Sequence, residues 1–512
     1  MHEVRIDGET LTIEDVVKVA RQNARVVIPE KVKGRVVKSR EVLEKLVKEG
    51  RVIYGVNTGF GALSNRTIQP QEIEQLQSNL IRSHSTGVGE PLSTEIVRAL
   101  MLLRANTLAK GYSGIRLETL ETLVEMLNKG VHPIIPAKGS VGASGDLAPL
   151  SHMILVLMGE GRAEYKGQVL DGKEAMEKTG IKPVQLEFKE GVALNNGTQL
   201  MTAIAALTVY DAEILIKTAE VATALTLEAL LGVYDAFHEK IQEVRPHKGQ
   251  AVTAKNIREL IAGSQLIQTG KEAMEKIQRP HDPYSLRCAP QVLGAARDAL
   301  AYARRTVEIE INSATDNPLV FPEEETCLSG GNFHGQPISL AMDLLGIALT
   351  IIGNISERRT ARLLDEKLNN GLPPFLIPPG AKIGLNSGLM TVQYTAVALA
   401  SENKVLAHPA CTDSIPTSAN FEDFVSMGVT AAQKAVKILE NTEYIIAIEL
   451  LCAAQAVEFR GSKRLGKGTK MAYNLIRKTV PMLKEDRVLS IDIEKVKQLI
   501  KKGLLHTVIE KV

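Results

Sequence analysis

The sequence has little cysteine and almost no excess of charge, and these two shortages exclude several classes of protein. Only four of the 512 residues are cysteines, namely Cys288, Cys327, Cys411 and Cys452. They are too few and too scattered for a disulfide framework or a zinc site, so we expect buried free thiols. The 61 basic and 59 acidic residues leave a net charge of +2. That balance gives no support to a nucleic-acid or membrane-surface partner.

Long uninterrupted apolar runs are also missing. The best candidate for a membrane span, ISLAMDLLGIALTIIGNIS, is broken by Asp343. Its charge-free remainder is shorter than the roughly 20 residues that a span requires. The chain does not open with a basic segment followed by an apolar one, as a secretory signal would. We therefore predict a cytoplasmic protein.

Helical periodicity is the main pattern that the chain does have. LTIEDVVKVARQN (11–23) and SREVLEKLVKEG (39–50) carry apolar residues at i, i+3, i+4 spacing with charges between them. This spacing predicts short amphipathic helices. Strand-like alternation is confined to RVVIPEK (25–31) and RAEYKGQVL (162–170). The pattern therefore predicts a mostly α protein.

After Gly111 the apolar segments become longer. Residues 198–232, 289–312 and 430–461 are rich in Ala and Leu, and their apolar positions occur on more than one face. Such segments are typical of helices buried among other helices. Polar loops punctuated by glycine and proline separate them, at 54–61, 83–91, 138–149, 191–199, 278–291, 312–318, 329–337 and 413–423. We expect these loops to converge on a functional site.

The stretch GSVGASGDLAPLSHM (139–153) places three small residues, Ala143, Ser144 and Gly145, before an apolar helix. A phosphate-binding loop would need a lysine after Gly145, and a nucleophile elbow would need glycine where Asp146 stands. Both are therefore excluded. A simple glycine loop, with Ser144 or Asp146 capping the following helix, stays open as one interpretation.

A second interpretation is that the backbone itself becomes the reactive group. The amide nitrogen of Gly145 can attack the carbonyl of Ala143, because Gly145 has no side chain to obstruct a five-membered ring. Loss of water from the new ring and from the Ser144 side chain would then leave a conjugated exocyclic methylene. That group would be an electrophile, whereas side chains supply nucleophiles, acids and bases.

The surrounding motifs support the second interpretation by resemblance. GSVGASGDLAPLSHM resembles the signature of the aromatic amino acid ammonia-lyases, which build 4-methylidene-imidazol-5-one (MIO) from an internal Ala-Ser-Gly. Seven further segments resemble family motifs in the family's order: YGVNTGFG (54–61), SHSTGVGEP (83–91), NNGTQ (195–199), DPYSLRCAPQV (282–292), NSATDNP (312–318), GNFHGQP (331–337) and SANFEDFVSMG (418–428). The resemblance is greatest to the branch that converts L-histidine to trans-urocanate and ammonia.

The resemblance implies roles for individual residues. Tyr54 matches the base that removes the β-proton, which a phenol can do at neutral pH only if positive potential lowers its pKa. Arg287 matches the arginine that binds the substrate carboxylate through two parallel hydrogen bonds. Asn196 and Tyr284 match positions that contact MIO or the substrate amine, and Phe333 matches a side chain beside MIO. Taken singly, each has an ordinary structural alternative, such as a helix cap for Asn196.

Substrate choice depends on fewer residues. His84, after Ser83, matches the selectivity position, where the histidine branch has Ser-His and a histidine can hydrogen-bond to an imidazole. Glu422 matches a carboxylate that the same branch keeps for the imidazole nitrogen.

Three departures from the branch concern specificity more than chemistry. His281 stands where the branch usually has Gln, and Phe421 and Phe424 replace the polar residues of NQEDHVSM. The two phenylalanines flank Glu422, so the far end of the pocket should be drier. A drier pocket would tighten a hydrogen bond that Glu422 accepts from an imidazole, and it would equally suit a different ring.

By resemblance we expect a mostly α, fumarase/aspartase-like fold. A smaller N-terminal domain (1–110) would carry the Tyr54 and His84 loops, and a long-helix domain (111–512) would carry the remaining site. The family forms homotetramers with shared sites, so Tyr54, Arg287 and Glu422 are expected to meet only in the oligomer. MIO, formed autocatalytically from Ala143-Ser144-Gly145, is the expected cofactor. We expect no metal, no diffusible cofactor, and a small amino acid as the substrate.

Two alternative functions remain open. Another MIO enzyme, either a phenylalanine or tyrosine ammonia-lyase or an aromatic 2,3-aminomutase, would keep the same electrophile, although Ser83-His84 disfavours the first two. The second alternative is a non-catalytic helical assembly protein. Such a protein would not need the electrophile, the base and the carboxylate-binding arginine that the motifs retain together, which argues against it.

Overall fold

The computed structural model describes residues 3–512 and confirms a mostly α protein. Its α-helices are α1 Ile13–Gln22, α2 Glu30–Lys48, α3 Ile73–His84, α4 Thr94–Ala109, α5 Leu117–Lys129, α6 Leu147–Leu157, α7 Gly172–Lys178, α8 Glu190–Asn195, α9 Gln199–Ala229, α10 Glu239–Glu243, α11 Lys248–Leu260, α12 Gly270–Ile277, α13 Tyr284–Arg287, α14 Ala289–Glu310, α15 Gln336–Leu364, α16 Val392–Leu406, α17 Gly428–Arg460, α18 Lys467–Thr479 and α19 Leu489–Lys501. Its strands are β1 Glu3–Arg5, β2 Arg25–Val27, β3 Val88–Pro91, β4 His132–Pro133, β5 Pro136–Lys138, β6 Arg162–Tyr165, β7 Gln168–Asp171, β8 Leu319–Phe321 and β9 Thr326–Leu328.

The strands form small separate sheets. β1 pairs with β2 in parallel. The other pairs are antiparallel: β3 with β5, β8 with β9, and β6 with β4 on one side and β7 on the other. The strand signals at 25–31 and 162–170 are confirmed, because β2, β6 and β7 lie within or next to them. The other strands have two to four residues, which is too short for an alternating pattern to be recognised.

The long predicted helices are confirmed as α9, α14 and α17. Their Ala- and Leu-rich sequences suit burial on several faces, and most of the α9 side chains are buried. Among the shorter helices, the amphipathic α1 begins with a capping box. The Thr12 hydroxyl accepts a hydrogen bond from the amide of Asp15, whose carboxylate accepts one from the Thr12 amide.

The chain divides into two compact units, and four of the five division points fall within long helices, namely α9, α14, α15 and α17. Unit 1 contains the described residues through Tyr210, together with Ala303–Asp343 and Pro409–Gln433. Unit 2 contains Asp211–Tyr302, Leu344–His408 and Lys434–Val512.

These units do not coincide with the division expected near residue 110. Unit 1 continues past that point because the end of α4 is bonded to segments far along the chain. The Asn106 side chain donates to the carbonyl of Ile311 at 2.8 Å, and the Thr107 hydroxyl donates to the carbonyl of Ser313 at 3.1 Å. The loops of Tyr54 and His84 therefore belong to the same unit as Ala143–Gly145.

Two helices, α9 and α15, are long and apolar enough to cross a bilayer by length and composition alone. Within their most apolar stretches, however, 78% and 72% of the residues are buried inside the protein. Burial of that extent is what the core helices of a helical bundle show.

Candidate active site

The tripeptide Ala143-Ser144-Gly145, called the tripeptide below, lies in the loop between β5 and α6. Gly142, just before it, and Gly145, at its end, have φ of +69° and +75°, a region that favours glycine. A Cβ atom on Gly145 would lie 2.2 Å from the carbonyl oxygen of Gly197. The loop therefore requires glycine at position 145 on two independent grounds.

Contacts from distant segments hold the tripeptide in place. The amide of Asp146 donates to the carbonyl of Gly197 at 2.7 Å, and Gly145 and Gly197 form a parallel bridge. The Asn196 side-chain amide donates to the carbonyl oxygen of Ser144 at 2.8 Å. The tripeptide is thus fixed against the segment that begins α9.

Asp146 directly follows the tripeptide and is fully buried. Its carboxylate accepts hydrogen bonds from the Ser140 hydroxyl at 2.8 Å and from the amide of Met201 at 2.9 Å. Burial raises the pKa of Asp146 to about 6, against the lowering effect of these hydrogen bonds. Asp146 therefore anchors the loop to the first turn of α9, and it does not cap α6 through its side chain.

Glu422 reaches the tripeptide from a loop near the start of α17. Its Oε1 accepts a hydrogen bond from the Ser144 hydroxyl at 3.1 Å, and its Oε2 accepts one from the Thr417 hydroxyl at 2.8 Å. The three residues of the intervening turn, 418–420, all have φ between 51° and 67°. Positive φ at three successive residues with side chains is strained, and such strain is concentrated at functional sites.

Tyr54 lies in the same cavity, with its hydroxyl oxygen accepting a hydrogen bond from the amide of Gly61 at 3.1 Å. Burial raises the pKa of Tyr54 above its ordinary value of 10, and the charge of Glu422 raises it further. The Gly61 amide opposes this shift without reversing it. The condition of a lowered Tyr54 pKa is therefore not met within this chain, because burial outweighs the single donor.

His84 ends α3 and lies beside Ser83. The Ser83 hydroxyl donates to the carbonyl of Leu80 at 3.0 Å, so its oxygen is left to accept from Nδ1 of His84, 3.0 Å away. This arrangement places the ring proton on Nδ1 and leaves Nε2 as an acceptor. Burial lowers the pKa of His84 below its ordinary value of 6.5, so the ring is neutral at pH 7.

A cavity of about 970 Å³ brings most of the predicted residues together. The predicted site residues that line it are Tyr54, Ser83, His84, Ala143, Ser144, Asn196, Phe333, Phe421, Glu422 and Phe424. Tyr54 and Glu422 thus lie in one cavity of a single chain. This corrects the expectation that they meet only in an oligomer: the turns at Gly61–Leu63 and Ser418–Asn420 pack together.

Three predicted residues lie elsewhere in the chain. His281, Tyr284 and Arg287 belong to unit 2, at or near α13, and none of them lines the cavity. The Arg287 guanidinium lies over the Tyr284 ring, 4.9 Å from its centroid, and Tyr284 is 71% exposed. Their assignment to the substrate carboxylate and amine stays a prediction.

Sequence reasoning missed His334, which also lines the cavity. Its ring stacks on Phe424 with centroids 6.0 Å apart, and its Nε2 lies 3.3 Å from the carbonyl oxygen of Phe424. Nδ1 of the same ring faces the amide of Gln336 at 3.4 Å, so Nε2 carries the proton and donates. The motif GNFHGQP contained the signal, although only Phe333 was selected from it.

Comparisons with known proteins agree with this geometry. Residues 11–478 match the model of the family described as aromatic amino acid lyase. A histidine ammonia-lyase of Caldanaerobacter subterraneus subsp. tengcongensis is 56% identical over 510 residues, covering 100% of this chain and 99% of that chain. The crystal structure of histidine ammonia-lyase from Trypanosoma cruzi is 41% identical, with a TM-score of 0.91 over 99% of this chain and 95% of that chain. The structure of tyrosine aminomutase from Streptomyces globisporus is also 41% identical, with a TM-score of 0.95 over 99% and 98% of the two chains. These likenesses confirm the expected fumarase/aspartase-like fold.

Proposed function

We propose that this chain, which belongs to the aromatic amino acid lyase family, removes ammonia from L-histidine to give trans-urocanate. Full-length similarity to a histidine ammonia-lyase at 56% identity supports this substrate. The observation that carries the proposal is the position of Ser144. It bonds to Asn196 and Glu422, and it lies in one cavity with Tyr54 and His84.

Members of this family use the MIO prosthetic group, and we propose that it forms here from Ala143-Ser144-Gly145. The residues fit the group. Gly145 has the positive φ and the lack of a side chain that a tight ring needs, and Ser144 lines the cavity in which the substrate would bind. When present, MIO supplies an electrophile that takes the substrate amine and turns it into a leaving group.

Asn196 is placed to stabilise negative charge on the tripeptide. Its side-chain amide donates to the carbonyl oxygen of Ser144, and this carbonyl is conjugated with the methylidene once Ser144 is dehydrated. A donor that is already in place costs no reorganisation when charge develops. The N-terminus of α6, which begins at Leu147, adds positive potential close by.

Glu422 and His84 suit the imidazole ring of the substrate. The hydroxyl of Ser144, which now occupies Oε1 of Glu422, is the one that leaves as water during dehydration. Oε1 then becomes free to accept a hydrogen bond from an imidazole N–H. His84 offers a second acceptor at Nε2, so the two residues recognise a ring that carries N–H donors.

Tyr54 is the base of the proposed reaction. Its hydroxyl lies in the cavity, and the Gly61 amide that donates to it stabilises the phenolate form. Because burial raises the pKa of Tyr54, the phenolate is a minor species at neutral pH. We therefore expect the rate to increase as the pH rises.

We further propose that the protein is a cytoplasmic homotetramer in which Arg287 and Tyr284 of one copy complete the cavity of another. Family resemblance supports this assembly. The exposure of the Tyr284 ring also supports it, because an exposed aromatic beside an arginine is common at protein interfaces.

A second candidate reaction keeps the same electrophile but returns ammonia to the β-carbon of an aromatic amino acid. The likeness to a tyrosine aminomutase favours it, and so do Phe421 and Phe424, which are 61% and 59% exposed and give the cavity an apolar wall. Identification of the product distinguishes the two reactions, because a β-amino acid would replace urocanate and free ammonia.

The experiment that tests the proposal combines intact mass with product analysis on the full-length protein. The wild type should be lighter than its sequence mass by two water molecules and should convert L-histidine to urocanate. Ser144→Ala should have the full sequence mass and no turnover. Ser329→Ala, which replaces a serine that lines the same cavity outside the tripeptide, is the matched control for dehydration and should keep the two-water deficit. Wild-type protein with the full sequence mass would disprove the proposal.

A further inference from the structure

Arg104, in the middle of the apolar helix α4, is completely buried. Its Nη1 donates to the backbone carbonyl of Asn196 at 2.7 Å and to the side-chain oxygen of Gln199 at 2.9 Å. Both acceptors are neutral. The guanidinium therefore reaches the start of α9 at the segment that carries the Asn196 amide.

In the described part of the chain, the charge of Arg104 has no close counterion. Within residues 3–512 no carboxylate forms an ion pair with it, and its Nε and Nη2 have no hydrogen-bond partner. The acid that influences it at longer range, Asp316, is itself paired with Lys189 at 2.7 Å. Burial lowers the pKa of Arg104 to about 10, so the group stays protonated at neutral pH.

An unpaired buried cation is costly, and a protein keeps one only where other interactions offset its desolvation. The position of Arg104 indicates what it does. A Cβ atom on Gly197 would lie 2.7 Å from Nη1, so the guanidinium packs directly against the backbone of Gly197. Gly197 in turn accepts from Asp146 and pairs with Gly145, while Asn196 donates to Ser144.

We propose that Arg104 is a positioning residue that acts through Asn196 and Gly197 to hold the tripeptide in the geometry needed for ring closure. Its contact with the Asn196 carbonyl fixes the residue whose side chain binds Ser144. This inference rests on the proposed function, because it concerns the maturation of the proposed electrophile.

Arg98 offers an internal comparison, because it lies on the same helix and is also buried. It donates to the backbone carbonyls of Val19 at 2.9 Å and Leu127 at 3.2 Å, neither of which contacts the tripeptide. Arg98 therefore has the packing role of a buried arginine without a link to the site. A purely structural Arg104 should behave like Arg98 when it is replaced.

The test compares Arg104→Met and Arg104→Lys with Arg98→Met in the full-length protein. Each purified variant is analysed by intact mass, by thermal unfolding and by turnover of L-histidine. We expect Arg104→Met to reduce the fraction of chains that lack two waters by at least about tenfold. Arg104→Lys keeps the charge but not the planar guanidinium group, so it should reduce the fraction of matured chains less. Arg98→Met should lower Tm but leave the mass deficit and the kcat of the folded protein unchanged.

The outcomes separate this inference from the proposed function. If the wild type has its full sequence mass, the proposed function fails. Suppose instead that the wild type has lost two waters. If every chain of folded Arg104→Met has lost them as well and its kcat equals that of the wild type, Arg104 is only structural and the inference is overturned. If Arg104→Met does not fold, the role of Arg104 is tested by Arg104→Lys. Complete maturation and a wild-type kcat in that variant would also overturn the inference.

Discussion

Replacing Asp146 with asparagine should change how the stability of the protein depends on pH. The carboxyl group is fully buried, and burial raises its pKa from 3.8 to about 6. The folded protein therefore binds this proton more tightly than the unfolded chain does. Stability from this group is fully present below pH 3.8, is lost as the pH rises to about 6, and stays lost above that.

The magnitude follows from the size of the shift. A difference of roughly two pH units between the folded and unfolded states corresponds to about 3 kcal/mol of unfolding free energy. The unfolding entropy of a chain of this length is about 1 kcal/mol/K, so the expected change in Tm is about 3 °C. The amide of the Asp146→Asn variant cannot ionise, so the variant should escape this loss.

An asparagine side chain can keep both of the hydrogen bonds that Asp146 makes to Ser140 and Met201. Its oxygen can accept from the amide of Met201, and its NH2 can donate to Ser140, whose hydroxyl is able to reverse its role. The assay is Tm by calorimetry at one scan rate, for wild type and Asp146→Asn at about pH 4 and about pH 7.5.

The Tm of the variant relative to wild type should rise by about 3 °C between the two pH values. Pairwise subtraction removes the titration of the other carboxylates and any effect of the variant that does not depend on pH. Asp171→Asn, at the exposed N-cap of α7, is the control and should show no comparable rise. A wild-type-to-variant difference in Tm that is the same at both pH values would refute the reasoning from burial.

Three further predictions concern the proposed reaction. Because burial and Glu422 raise the pKa of Tyr54, kcat should increase with pH through the alkaline range. Tyr54→Phe should lower kcat by about 10²- to 10⁴-fold. A flat pH–rate profile would exclude Tyr54 as the base. Phe424→His keeps a ring that can stack on His334 but makes this wall of the cavity polar. The kcat/KM for L-phenylalanine relative to that for L-histidine should therefore fall by about tenfold. An unchanged ratio would show that this wall does not select the substrate. Arg287→Lys loses bidentate binding of a carboxylate, so KM should rise by about tenfold with little change in kcat. An unaltered KM would show that another residue binds the substrate carboxylate.

The sequence predicts the helices well where composition alone determines them. Residues 198–232 are expected to be one helix, and α9 occupies Gln199–Ala229, because no turn signal interrupts an Ala- and Leu-rich run between Gly197 and Gly232. The strand pair β3–β5 was beyond reach, since Val88 pairs with Lys138 and the strands have four and three residues. Local periodicity contains no information on pairing at that separation.

The compact units differ from the division expected near residue 110 for a related physical reason. The lengthening of segments after residue 110 reflects helix length, whereas a compact unit is defined by long-range contacts. Asn106 is bonded to Ile311, 205 positions away along the chain, which the residues around position 110 do not reveal.

The candidate site shows the same limit. The motifs brought Tyr54, His84, Ser144, Asn196 and Glu422 together, and the structure places all five in one cavity. The direction of the Tyr54 pKa shift could not be predicted, because it depends on burial and on the approach of Glu422, neither of which a motif encodes.

Arg104 was overlooked because nothing in the apolar run around it marks its acceptors. They lie 92 and 95 positions away along the chain.

The hydrogen bond between Ser144 and Glu422 joins residues 278 positions apart, and the one from the Ser426 hydroxyl to the carbonyl of Gly142 spans 284 positions. During translation, the ribosome makes the tripeptide long before it makes these partners. A nascent chain that ends before residue 422 therefore has the tripeptide but only part of the framework that holds it in place. The proposed dehydration should then follow synthesis of nearly the whole polypeptide, when the tripeptide is already enclosed.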